Sequence, residues 1–171
     1  NEDGVVATVL NRINSLGTLP GKRSRGELPL EAVEFSKASD AADKLSMIET
    51  KSYRGFNLII ADADNGFWLK STGDRGSQVE VTRIPKGISM ITAFNLNDFR
   101  SERIATQLPL FKRAKHPDPE NDNWEPWSEL LRSSKPGVEN KPHTAMNIIG
   151  RGEFGTTSSS LLALPSLELF G

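Results

Sequence analysis

Gly55-Phe-Asn-Leu-Ile-Ile-Ala-Asp-Ala-Asp-Asn-Gly-Phe-Trp-Leu-Lys-Ser-Thr72 decides the fold. Phe56 to Ala61 is too short for a buried helix and rich in the β-branched and aromatic residues that suit a pleated surface. Asp62-Ala-Asp-Asn-Gly66 supplies turn residues, and Phe67 to Thr72 returns as a second strand, so the stretch reads as a β-hairpin.

Working downstream, Gly73-Asp-Arg-Gly76 turns the chain into a strand over Gln78 to Arg83, and Pro85-Lys-Gly87 turns it into another over Ile88 to Phe94. Four consecutive strands with tight connections predict a meander. Upstream, Val5 to Leu10 alternates as a strand and Asn14 to Gly21 has loop chemistry. Ser24 or Arg25 opens a helical segment with Leu28, Ala32, Val33 and Phe35 inward, and Pro29 falls in its first turn, where a missing N–H does no harm. Ser39-Asp40 is a candidate N-cap for a second helix with Ala42, Leu45, Met47 and Ile48 on its apolar side. A third helix is predicted from about Asp98, which can cap it, on the apolar residues Phe99, Ile104, Ala105, Leu108 and Leu110, with Pro109 bending or ending it. Trp124 to Leu131 reads as a short helix and Ser158 to Leu164 as a last apolar strand. Strands and helices in this order define an α+β protein with helices covering sheet faces.

Composition bounds the function. The 171 residues are 36% hydrophobic and 25% charged, ordinary for one globular domain, and carry a net charge of -1 with both signs interspersed. No global field therefore favours nucleic acid or an anionic membrane. The longest apolar runs, Phe56 to Ala61 and Leu161 to Pro165, are too short for a spanning helix, which argues against membrane insertion. The chain has no Cys, which removes disulfides and Cys-based zinc sites, and a cytoplasmic location is the default expectation.

Five blocks in order carry a family resemblance: Gly4-Val-Val-Ala-Thr-Val-Leu-Asn11, Lys22-Arg-Ser-Arg-Gly-Glu-Leu28, Tyr53-Arg-Gly-Phe-Asn-Leu58, Thr92-Ala-Phe-Asn95 and Gly155-Thr-Thr-Ser-Ser-Ser160. They resemble the NRDE, or transport-and-Golgi-organisation, family, which is similar in turn to N-terminal-nucleophile amide hydrolases. The resemblance implies an αββα sandwich of two antiparallel sheets with outer helices. The chain starts at Asn1 and holds neither the family's N-terminal Cys nor an Asn-Arg-Asp-Glu run. It is therefore expected to be one domain over residues 1–171, N-terminally incomplete and lacking the first strands.

Such a hydrolase needs a nucleophile, a base and donors aimed at the oxyanion of the tetrahedral intermediate. The resemblance implies Asn95 and Asn11 as the catalytic donors, with Asn97 competing as the aligned residue. Asn at a strand end also commonly bonds neighbouring backbone. Lys22, Arg23 and Arg25 cluster before a helix, and Arg25 lies in the family's Arg-Gly-Glu block, so Arg25 and Asn97 are the substrate-binding candidates. Thr157 stands where many relatives carry Arg.

Other candidates are weaker. His116 and His143 lack companions at ligand spacing, and the Asp62 to Gly66 run lacks the glutamate of a calcium loop, so no metal and no cofactor are expected. Trp68, Trp124 and Trp127 read as packing residues before they read as a ligand pocket.

The functional expectation is an amide (C–N) hydrolase when intact, its thiol coming from the absent N-terminal segment and its ligand a small-molecule amide. The alternative is a carrier of haem, lipid or acyl thioester linked to Golgi organisation, holding an apolar ligand in the same cleft. A homo-oligomer is compatible with either.

Overall fold

The computed structural model describes residues 1–74, 77–150 and 155–165. Two compact units are distinguished: the first comprises Asn1–Lys86 and Thr92–Leu96 and takes in Leu164 and Pro165, and the second comprises Gly87–Ile91 and Asn97–Ala163.

The hairpin forms as its sequence dictates. β2 (Phe56–Ala61) pairs antiparallel with β3 (Gly66–Ser71), and β1 (Val6–Asn11) and β4 (Glu80–Arg83) flank them in a four-stranded antiparallel sheet of order β1-β2-β3-β4. Register places Val9 opposite Leu58 and Leu58 opposite Leu69, so one row of apolar side chains crosses three strands. Phe56, Leu58, Ile60 and Leu69 are fully buried on this face. Burial of each such side chain stabilises by about 1.5–3 kcal/mol.

That face is covered by α1 (Glu27–Ala32) and α2 (Ala38–Ser46). Ala38, Ala41, Ala42 and Leu45 recur at helical spacing and all are buried, and three alanines in four positions let α2 approach the sheet closely. The expected cap at Ser39-Asp40 is not used. Asp62, in the β2–β3 turn, accepts a hydrogen bond from the Ala38 N–H at 2.8 Å, and its other oxygen accepts from Asp64 and Asn65. One carboxylate thus closes the hairpin and caps a helix distant in sequence. Met47 lies beyond the last turn and is exposed, against the apolar role expected for it.

Two expected strands are absent. Residues 88–94 and 158–164 are irregular, so the predicted meander stops at β4, and the described residues hold one sheet. In the first of these stretches Thr92 and Phe94 turn their carbonyls to a side chain on β2, a polar demand that alternation alone cannot reveal.

In the second unit, α3 (Glu102–Arg113) begins four residues later than expected, because Ser101 caps it by accepting from the Ile104 N–H and Asp98 instead accepts from the Arg100 N–H. Phe99 lies outside the helix and is exposed, and Pro109 sits inside it without ending it. α4 (Glu125–Arg132) presents Trp127 edge-on to Phe111, with ring centroids 5.4 Å apart. Among the described residues no helix is long and apolar enough to cross a membrane.

Candidate functional site

Asn57 is a polar residue in the middle of an apolar strand, and it is fully buried. Its neighbours Phe56 and Leu58 point into the helix-covered core, so alternation sends Asn57 to the opposite face of the sheet. A buried carboxamide must find partners for both ends. Its Oδ1 accepts from Arg12 Nη1 at 2.6 Å and from Trp68 Nε1 at 3.1 Å. Its Nδ2 donates to the carbonyls of Thr92 and Phe94, each at 2.9 Å. Guanidinium and indole only donate and carbonyls only accept, so the orientation of this amide follows from chemistry.

Arg12, the residue after β1, extends the network. Its Nη2 donates to Asn95 Oδ1 at 2.9 Å, and the neighbouring Ile13 N–H donates to the Ala93 carbonyl. Asn95 is therefore held by its oxygen. Its Nδ2, at the other end of the amide, makes no hydrogen bond among the described residues.

Asn11 faces the other way. It pairs with Phe56, whose side chain lies in the core, so Asn11 shares the helix-side face and lines a cavity of about 390 Å³ with Val9, Lys22, Arg25 and Arg54. Asn11 and Asn95 are thus held at one strand end on opposite sides of the sheet, and no described hydrogen bond joins them.

Arg25 is committed to backbone carbonyls and to Ser15 Oγ, which accepts from its Nη1 at 3.1 Å. Nη1 donates to the Ser15 carbonyl at 2.6 Å and the Gly55 carbonyl at 3.0 Å, and Nη2 reaches the Gly17 carbonyl at 3.2 Å. Burial, and then the adjacent Arg54 charge, pull its pKa below the ordinary guanidinium value. Arg54 donates to the carbonyls of Asn14, Leu16 and Thr18, so the two arginines together clamp the loop after β1. Asn97, in the second unit, adopts a left-handed conformation with φ of 55°. Its Oδ1 accepts from the Met90 N–H and its Nδ2 donates to Ser89 Oγ, so both ends of this amide close a local loop.

The sequence reading missed Arg12 and Asn57. The signal was present: an asparagine inside Phe-Asn-Leu-Ile-Ile, and an arginine directly after the Leu-Asn pair that ends β1.

Fold and site together define a mixed α/β protein built on a four-stranded antiparallel sheet, with an Asn–Arg–Asn network on one side of a strand end and a basic cavity on the other. The family model described as Transport and Golgi organisation 2 matches residues 1–165, and the chain belongs to that family, also known as NRDE. No curated protein matches the chain.

Proposed function

We propose that this chain supplies the oxyanion-stabilising scaffold of a cysteine N-terminal-nucleophile amide hydrolase, of the sandwich class that the family resembles. The 171 residues hold no Cys, so in this reading the thiol comes from a preceding segment. Asn95 Nδ2 is the donor to the oxyanion, and Arg12 and Asn57 are positioning residues that hold Asn95. Asn11 contacts substrate from the helix-side cavity, at whose rim Arg25 fixes the loop.

One observation carries this reading: Asn95 is pinned by its oxygen to Arg12, which presents the amide N–H₂ end to whatever lies beyond it. An oxyanion donor has to be oriented before charge develops, because reorienting it during the reaction would forfeit its electrostatic advantage. Membership of a family named for transport and Golgi organisation supports a role connected with that organelle.

The test joins the family's Cys-bearing opening segment to this chain and seeks an acyl-enzyme by intact mass with amide substrates. Acyl-enzyme formation whose turnover drops about 10²-fold or more in Asn95→Ala supports the proposal. Tight binding of haem or an acyl thioester without turnover would replace it with the carrier reading.

A further inference from the structure

The cavity beside α1 is lined by four cationic side chains, Lys22, Arg23, Arg25 and Arg54, and by no acidic one among the described residues. Arg23 is paired with Glu27 one helical turn on and lies over the Tyr53 ring, 5.1 Å from its centroid. Lys22, Arg25 and Arg54 form no salt bridge among the described residues. Their hydrogen bonds go to backbone carbonyls and, from Arg25, to the Ser15 hydroxyl, with Lys22 Nζ on the carbonyl of Lys51, and such neutral oxygens accept a hydrogen bond without neutralising a charge. Three cations without a salt bridge among the described residues thus line a cavity of about 390 Å³ that has no acidic side chain among its described lining. Like charges held this closely repel, and an anion entering between them relieves that repulsion while gaining attraction to each.

We propose that this cavity binds a small molecule through a phosphate or carboxylate group. The Thr18 and Ser24 side chains on its wall add hydroxyls for an oxyanion's remaining lone pairs. The cavity is the one from which Asn11 would contact substrate in the hydrolase reading, yet the two fail separately, because anion binding is measured on the chain without any nucleophile.

Inorganic phosphate and, separately, succinate are titrated into the chain at low ionic strength, followed by amide NMR shifts. Saturable shifts are expected at Gly17, Thr18, Ser24 and Gly26, weakening as salt is raised. The anion that saturates at the lower concentration identifies the group. Lys22→Gln, a change at a side chain outside the core, weakens binding roughly tenfold. Lys44→Gln, an exposed lysine on α2, leaves it unchanged. Shifts that never saturate, or equal weakening in the two variants, would reduce the effect to non-specific attraction and overturn the proposal.

Discussion

Arg12 donates one guanidinium nitrogen to Asn57 and the other to Asn95, so a residue buried in β2 and a residue 38 positions later (95 − 57) are fixed relative to one another through a single fork. A planar, rigid guanidinium can hold two acceptors at set positions, which a lysine ammonium on a flexible stem cannot. The irregular stretch over Thr92–Leu96 is ordered by this network and by the two carbonyls that Asn57 engages.

Asn57→Ala removes, at a fully buried position, the acceptor of Arg12 Nη1 and Trp68 Nε1 and the donor to the Thr92 and Phe94 carbonyls. The expected loss is about 3 kcal/mol or more. Asn57→Asp retains both acceptor contacts but turns carboxylate oxygen toward the Thr92 and Phe94 carbonyls, and is expected to fall between Ala and the wild type. Urea unfolding midpoints of the three proteins check the order, and an unchanged midpoint in Asn57→Ala would mean that the network contributes nothing to stability.

Gly73 adopts φ of 77°, and a Cβ built there would lie 2.8 Å from the Gly55 nitrogen and 2.9 Å from the Tyr53 carbonyl oxygen. Backbone cannot retreat as a flexible side chain could. Gly73→Ala should therefore cost more than about 2 kcal/mol. Gly21 shares the same φ but has nothing within 4 Å of that position, so Gly21→Ala should cost only about 1 kcal/mol. Thermal or urea denaturation of the pair separates steric contact from conformational preference. Equal losses would refute the close approach.

Asp62 joins the β2–β3 turn to α2. Burial works to raise its pKa, yet hydrogen bonds from the N–H groups of Ala38, Asn65 and Asp64 and the charge of Lys37 together hold it below the ordinary carboxylate value. With the folded pKa depressed, its contribution is full above the unfolded value of about 3.9 and is lost as pH falls toward the folded pKa. Asp62→Ala should destabilise by about 1 kcal/mol at neutral pH, the scale of a lost helix cap. The gap between variant and wild type should close as the medium is acidified below the ordinary carboxylate range. Unfolding midpoints at several pH values measure it, and a gap that widens in acid would contradict the assignment.

Local signals carried most of the fold. The hairpin, β1 and the Ala42 and Leu45 positions of α2 follow from period-two and period-3.6 patterns that each segment satisfies by itself. Two of the errors fall where partners are distant. Asp62 outcompetes Ser39-Asp40 as the cap of α2, and residues 88–94 look apolar enough for a strand while the Thr92 and Phe94 carbonyls are claimed by a side chain on β2. At the candidate site, Asn95 was singled out by the family resemblance of its block, whereas Arg12 and Asn57 acquire meaning only once the sheet sets their faces. Residues two positions apart on a strand share a side and adjacent ones do not, so the parity of Asn11 and Arg12 decides which side each serves.

That parity yields the last prediction. Asn95 belongs to the Arg12 side and Asn11 to the cavity side, so under the proposed hydrolase function their substitutions should differ in kinetic character. An oxyanion donor acts chiefly as charge develops, so Asn95→Ala should lower kcat by about 10²-fold or more with little change in KM. A residue that contacts substrate equally in ground and transition states changes KM instead, so Asn11→Ala should raise KM and leave kcat nearly intact. Arg12→Lys, which keeps the charge but loses the fork, should resemble Asn95→Ala in lowering kcat while leaving KM unchanged. Steady-state kinetics of the three variants decide the matter. If Asn11→Ala lowers kcat as strongly as Asn95→Ala, the two amides serve one oxyanion, and the division of labour between the two faces of the sheet is wrong.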